Sequence, residues 1–272
     1  MGFRARRLPL WLPTAAVLLL LLPHRQAWGW GNEGHRIVAD IAWDHLDEAT
    51  LEKLRPFLGD NDLASISTWA DDIRSEHPET APWHYVDIPL DADGYEPKDC
   101  PDDNCVVEQI KKFARILGDP QQPFAARSEA LRFLVHFVGD LGQPFHAIAD
   151  ARGGNDVPVT VFGSAQCGDY ACELHSAWDT QLIDHTGVRE HLYAHQLEEL
   201  IAADHLQAGS DDPVAWANDS LQLARQAWVQ PQANIDEAYY LRERPVVDRQ
   251  LALAGLRLAR LLNEEMAKAA KS

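Results

Sequence analysis

Residues 131–150 read "LRFLVHFVGDLGQPFHAIAD". Leu, Phe and Val dominate, so the stretch reads as a helix buried on most of its faces. Yet it carries His136, Asp140 and His146. A buried polar group without a partner is costly, so these three side chains need partners inside the fold. His136 and Asp140 lie four apart and share one helix face. Gly142 and Pro144 then interrupt the helix and let His146 swing to a neighbouring location.

The device recurs in "ELHSAWDTQL" at 173–182, where His175 and Asp179 are again i, i+4. One such pair is ordinarily a surface ion pair, or a core histidine with its hydrogen-bond partner. Two pairs in apolar helices, one with a third His beside it, fit metal ligation better. Three further stretches join them. "STWADDIR" at 67–74 places Asp71 after an aromatic and small-residue lead-in, with Arg74 one turn on. "PWHYVDIP" at 82–89 sets His84 between Trp83 and Tyr85, and "WGNEGHRI" at 30–37 puts His35 shortly after Trp30. Taken singly, Asp71 suits a helix cap, His84 an aromatic cluster and His35 the surface.

Counted together, the candidate ligands are His35, Asp71, His84, His136, Asp140, His146, His175 and Asp179, with the amine and carbonyl of Trp30 if the chain begins there. Three or four N/O ligands per zinc, without a thiolate, is the make-up of a catalytic rather than a structural site. With one carboxylate shared, the set serves three ions. No H-E-x-x-H motif, G-x-S-x-G elbow or phosphate-cradling glycine loop is present, so those mechanisms have no support.

The chain around these motifs has 272 residues, enough for one sizeable core or two small ones. Its start is set apart. Arg4, Arg6 and Arg7 precede "LPLWLPTAAVLLLLLP", and "AWG" at 27–29 offers small residues at a cleavage site, so residues 1–29 read as a secretory signal peptide. An uncleaved anchor is the alternative, but the apolar run falls short of the ~20 residues a membrane span needs. Cleavage after Gly29 makes Trp30 the mature N-terminus. It also removes four Arg and no acid, making the remainder more negative than the −18 of the whole chain. Such a surface repels nucleic acid, so any polyanion chemistry needs local positive charge, for which metal ions are the obvious source.

The four cysteines fall in two close pairs, Cys100/Cys105 and Cys167/Cys172. An even count in an exported chain favours disulfides, each stapling a short loop. A zinc site of four thiolates is the rival, with spacing looser than that of a zinc ribbon. Helical periodicity covers 35–46, 50–57, 106–116, 128–141, 172–186, 188–204, 213–228 and 246–268. Asp212-Pro213 forms a helix start, "VPVTVF" at 157–162 suits one arm of a hairpin, and 89–104 reads as a long surface loop. The expectation is a single, mostly α-helical domain over 30–272 with long loops and at most a short β-hairpin. Its last helix, with Leu251, Leu258, Leu261 and Leu262, is core packing.

Trp30 at the signal junction, "GH" at 34–35, "WAD" at 69–71, "WHY" at 83–85, "HFVGDLGQPFH" at 136–146, "GGNDVPV" at 153–159 and "LHSAWD" at 174–179 together resemble the S1/P1 nuclease family, in the same order. The resemblance runs from Trp30 to "AGLRLARLLNEE" at 254–265. It implies a helical fold of the phospholipase C/S1-P1 type with three Zn2+ per chain. One ion would be held by Asp71, His84 and His136, and a second by the Trp30 amine and carbonyl with His35. Asp140 would bridge these two, and His146, His175 and Asp179 would hold the third. Asp71, Asp140 and Arg74 would carry catalysis, with Arg74 on the phosphate. Tyr85 matches the family's base-stacking aromatic, and Asp87 and Asn155 its base-edge contacts. Cys100/Cys105 resembles a family pair, whereas Cys167/Cys172 looks local to this branch.

The resemblance implies an endonuclease acting on single-stranded DNA and RNA, and on nucleotides as a 3′-nucleotidase, that yields 5′-phosphorylated products. It further implies a monomer exported to a periplasm or the medium, with no stable membrane association once the signal is removed. The alternatives are a zinc-dependent phospholipase C, which shares the N-terminal Trp and the three-zinc arrangement, and a non-enzymatic exported zinc-binding protein. "WHYVD" and "GGN" favour the nuclease, because a lipase has less need of a base-stacking ring with hydrogen-bonding companions.

Overall fold

The computed structural model describes Gly2 and residues 30–268. Apart from Gly2, the expected signal segment 1–29 lies outside the described residues. The chain forms helices α1 (Asn32–Asp44), α2 (Glu48–Leu58) and the single turns α3 (Leu63–Ile66) and α4 (Trp69–Asp72). Two long central helices follow, α5 (Val106–Gly118) and α6 (Phe124–Gly142). Further on come the short α7 (Leu174–Ser176) and α8 (Leu182–Asp184), then α9 (Glu190–Asp204), α10 (Pro213–Ala227) and α11 (Glu237–Lys268). Strand structure among the described residues consists of four two-residue pieces, β1 (Thr160–Val161), β2 (Gln166–Cys167), β3 (Tyr170–Ala171) and β4 (Asn234–Ile235).

Helix α6 is the axis of the molecule. From Ala130 to Gly142 every residue but Arg132 is buried, since the helix is covered by α5 on one side and α11 on another. An apolar surface all round makes such a helix stable only inside a core. Helix α1 packs on α11 and α9, and brings its buried His35 alongside α6. Gly255 permits the crossing of α1 with α11, for a Cβ there would stand 2.5 Å from Cγ2 of Ile41. Asp47, Asp62 and Asp212 cap α2, α3 and α10 by accepting from backbone N–H groups.

Helix content, the single domain and both cysteine pairings agree with the sequence. Cys100–Cys105 and Cys167–Cys172 are disulfides, which removes the four-thiolate zinc alternative. Two local expectations change. Helix α11 begins at Glu237 rather than 246, capped by Asp236, and runs through Pro245. The proline deprives the carbonyl of Leu241 of its helical donor, and Leu241 is 63% exposed, so water can satisfy that carbonyl. The 157–162 stretch is a hairpin arm as expected, since Val161 bridges Ser164 and Pro158 bridges Glu173, both antiparallel, and Thr160–Val161 also pairs in parallel with Asn234–Ile235. Left-handed Phe162 and Gly163 form the two-residue turn between Val161 and Ser164, and β2 with β3 make a second antiparallel pair beside the Cys167–Cys172 bridge. Finally, 172–186 is not one regular helix. A π turn over Ala177–Gln181 separates α7 from α8, a distortion frequent at functional sites.

Alanine in place of glycine gains about 1 kcal/mol in an open helix. At the α1–α11 crossing, Gly255→Ala is instead expected to destabilise the protein by about 1–3 kcal/mol through overpacking, read as a lower urea midpoint. A raised midpoint would show that the helices do not meet there as closely as described.

Candidate metal centre

Seven local elements converge on one buried cluster. Helix α6 supplies His136 and Asp140, α1 supplies His35, α4 supplies Asp71, and the 3-10 turn Pro78–His84 supplies His84. The 3-10 turn Pro144–Ala147 supplies His146, which the break at Gly142 redirects toward α7. His175 on α7 and Asp179 on the π turn complete the set. All eight side chains are buried.

Second partners fix how the rings point. His136 donates Nδ1–H to the carbonyl of Ser67 (2.7 Å), His146 to that of His84 (2.6 Å) and His175 to that of Gly153 (2.6 Å). A carbonyl accepts only, so in each neutral ring the lone pair sits on Nε2. These atoms point into the cluster. His136 Nε2 lies 3.3 Å from Asp140 Oδ2 and 3.6 Å from Asp71 Oδ2. His35 Nε2 lies 3.4 Å from Asp140 Oδ1, and His84 Nδ1 lies 3.0 Å from Asp140 Oδ2 and 3.6 Å from Asp71 Oδ1. At the other end, His146 Nε2 and His175 Nε2 are 3.1 Å apart, with Asp179 Oδ2 3.4 Å from the latter. The π turn is tied to the start of α1, where Gly31 N donates to the carbonyl of Asp179 beside the buried Trp30.

Several buried atoms here have no hydrogen-bond partner: both ring nitrogens of His35, Nε2 of His84 and His136, and Oδ1 of Asp140. Native interiors rarely tolerate such a concentration. The donor set is nitrogen and oxygen, without thiolate, which suits zinc in a catalytic setting. Three groups have ligand atoms close enough together to hold an ion: His35, Asp71 and His136; His84, His136 and Asp140; and His146, His175 and Asp179. The first two overlap at His136 and form one continuous pocket of donors, with Asp140 reaching both His35 and His84. The third is the triad expected from the sequence. A fourth grouping, Asp40, Glu190 and His191, lies at the partly exposed surface.

Electrostatics follow burial and pairing. Burial lowers the pKa of His84 to about 4 and that of His175 to about 3, so both are neutral donors at physiological pH. Burial also lowers that of His35. Burial alone would lower His136 too, but the carboxylates of Asp140 and Asp71 outweigh it and raise its pKa to about 9. Burial opposes ionisation of Asp140, yet the neighbouring imidazoles win and hold its carboxyl well below the usual range. Burial pushes Asp179 well above that range.

The cluster opens onto a cleft of 460 Å³ that Arg74, Tyr85, Asp87 and Asn155 share with His146 and His175. Thus all four residues expected to contact substrate line one cavity with two members of the third group. Arg74 is buried, with Nη1 3.1 Å from Asp71 Oδ1. Tyr85 is 37% exposed at the mouth. A larger hollow of 630 Å³ around His45, Glu198 and Arg260 contains none of the eight clustered side chains.

Some members were not legible. Gln143 is buried, donates Nε2–H to Asp179 Oδ1 (2.6 Å), and accepts from Phe145 N. Its only sequence signal is a polar residue wedged between Gly142 and Pro144. Ser67 and Gly153 act through carbonyls, which leave no side-chain signal. Gly139 matters for what it lacks, since a Cβ there would lie 2.8 Å from His35 Nδ1.

Fold and site together define a helical protein with a buried His/Asp cluster, able to hold metal, beneath an aromatic-rimmed cleft. Comparison with known proteins agrees. The S1/P1 Nuclease profile matches residues 30–267. Endonuclease 4 of Arabidopsis thaliana is 32% identical over 92% of this chain and 93% of its own length. Nuclease S1 of Aspergillus oryzae is 29% identical over 94% and 98%, and Nuclease P1 of Penicillium citrinum 28% identical over 86% and 97%. The chain belongs to the S1/P1 nuclease family.

Gly139→Ala places a methyl against His35 and is expected to lower the metal content per chain, measured by elemental analysis of the purified protein. Wild-type content in this variant would show that His35 does not depend on the close approach of α6.

Proposed function

We propose that this nuclease-family member is a zinc-dependent phosphodiesterase holding three Zn2+. It cleaves single-stranded DNA and RNA as an endonuclease, acts on nucleotides as a 3′-nucleotidase, and releases 5′-phosphorylated products. The observation that carries the reading is the pair His146 and His175. Their Nε2 atoms face each other at 3.1 Å while both Nδ1–H groups are bound to carbonyls. Two lone pairs so placed call for a cation between them, and Asp179 stands ready to complete it. Asp71, His84, His136 and Asp140, with His35 and the Trp30 amine and carbonyl, would hold the other two ions.

When bound, zinc supplies Lewis acidity and lowers the pKa of a water molecule toward neutrality. The chain's own residues orient the rest. Asp140, between His35, His84 and His136, fixes the spacing of the two ligand groups it joins, and Asp71 anchors Arg74 beside them. The Arg74 guanidinium would clamp the phosphate through charge-assisted hydrogen bonds that strengthen as negative charge develops. Hydrolysis forms a P–O bond to water oxygen and breaks the P–O3′ bond, with a proton ending on the 3′ oxygen. Tyr85 would stack the base while Asp87 and Asn155 meet its edge. Stacking contributes about 1–3 kcal/mol per base and tolerates any sequence, and a base must leave its duplex to reach the ring, which favours single strands. Metal charge also offsets the repulsion of a polyanion by a chain of net charge −18.

The two disulfides accord with an exported protein of the periplasm or medium, which would act there as a monomer. No helix among the described residues is long and apolar enough to cross a membrane.

Chelator-treated protein is expected to lose digestion of a single-stranded oligonucleotide and to regain it with Zn2+, leaving 5′-phosphates on the products. His136→Ala, which removes a donor shared by two groups, should lower activity by more than about 100-fold, beyond what loss of a ligand's outer partner costs. Undiminished digestion by metal-free protein, 3′-phosphate products, or cleavage of phosphatidylcholine vesicles alone would overturn the proposal.

A further inference from the structure

Arg152 stands at the mouth of the cleft on an unusual piece of backbone. Ala151, Arg152, Gly153 and Gly154 have φ of 46°, 54°, 65° and 85°, four consecutive residues in the left-handed region. The turn closes through Gly154 N donating to the Asp150 carbonyl and Asp156 N to that of Ala151. Glycine adopts this conformation without strain, and Asn or Asp tolerate it through local hydrogen bonds. Ala151 and Arg152 have neither advantage, so their placement is strained. Strain of this kind persists where the surroundings over-determine it, and it clusters at ligand sites. Here the Gly153 carbonyl anchors the turn to His175, and the result is that the Arg152 side chain lines the same cleft as Arg74 and Tyr85.

The guanidinium of Arg152 is held only loosely. Its partner is Asp156 Oδ1 at 3.1 Å, and the two side chains are 54% and 55% exposed. Such a surface pair contributes little and can be exchanged for a better anion. Arg74 and Arg152 both line the cleft that holds Tyr85, so two cations share the cavity with the ring. Arg74 lies at the buried end beside Asp71 and Arg152 at the open end.

On the nuclease reading above, a nucleoside stacked on Tyr85 with its 3′-phosphate at the buried end directs its 5′ carbon toward the mouth. We infer that Arg152 binds the phosphate on the 5′ side of that nucleoside, and so determines specificity for substrates that carry it over those that end in a 5′-hydroxyl. A nucleotide within a chain offers this phosphate; a nucleoside 3′-monophosphate does not. Arg152 touches no reacting atom in this assignment and acts through binding.

The test compares the zinc-loaded protein on two dinucleotides, ApA and pApA, which differ only in a 5′-phosphate. The wild type is expected to prefer pApA by about fivefold in kcat/KM, the upper end for a half-exposed ion pair, and mainly through KM. Arg152→Gln should bring the ratio close to one, and Arg152→Lys should keep part of it. Because the ratio is taken within each variant, general damage to the site cancels. A wild-type ratio of one, or an undiminished preference in Arg152→Gln, overturns the inference while leaving the nuclease reading intact. Failure of the zinc-loaded wild type to cleave either dinucleotide overturns both.

Discussion

Three imidazoles inside this protein, those of His136, His146 and His175, each donate Nδ1–H to a backbone carbonyl and turn Nε2 inward. Those bonds come from three separate loops, after α3, at the end of the 3-10 turn Pro78–His84, and in the left-handed turn at Gly153. They therefore fix loop positions as well as ring tautomers. What they leave behind is a core crowded with inward-facing nitrogens and oxygens. A buried polar atom without a partner costs about 1–3 kcal/mol, whereas a whole domain has only about 5–15 kcal/mol of net stability. The buried partnerless atoms of His35, His84, His136 and Asp140 are too expensive to be incidental. Cations would resolve the imbalance, and metal binding here would then be partly a contribution to folding.

The architecture around the cluster serves this constraint. An apolar helix is the rigid support for His136 and Asp140, and α5 and α11 shield it from water. Two glycines permit close approach where side chains would collide, Gly139 beneath His35 and Gly255 between α1 and α11. Irregular backbone surrounds the cluster: the break after Gly142, the π turn at Ala177–Gln181 and the left-handed turn at 151–154. A regular helix could not present His146, His175 and Asp179 to one point while Arg152 and Asn155 reach the cleft beside them.

Most of the buried His/Asp cluster was legible because polar residues in an apolar run demand an explanation. His136, Asp140, His175 and Asp179 declared themselves by helical spacing, while His35, His84 and Asp71 gained meaning only from their number and from resemblance. Gln143 and the carbonyls of Ser67 and Gly153 stayed hidden, the first because one polar residue at a helix break is commonplace, the others because a carbonyl is identical in every residue. The single turns α3 and α4 are too short to show a period. The parallel pairing of Thr160–Val161 with Asn234–Ile235 joins segments more than seventy residues apart, and Pro245 masked a helix that its exposed surface can accommodate.

On the proposed function, folding gathers these imidazoles and carboxylates around a tight trio of zinc ions. Anomalous diffraction at the zinc absorption edge from crystals of the processed protein addresses it without recourse to activity. Two peaks are expected among His35, Asp71, His84, His136 and Asp140, and a third between His146, His175 and Asp179. A map with no anomalous density at these side chains, from protein grown with zinc, would contradict the account.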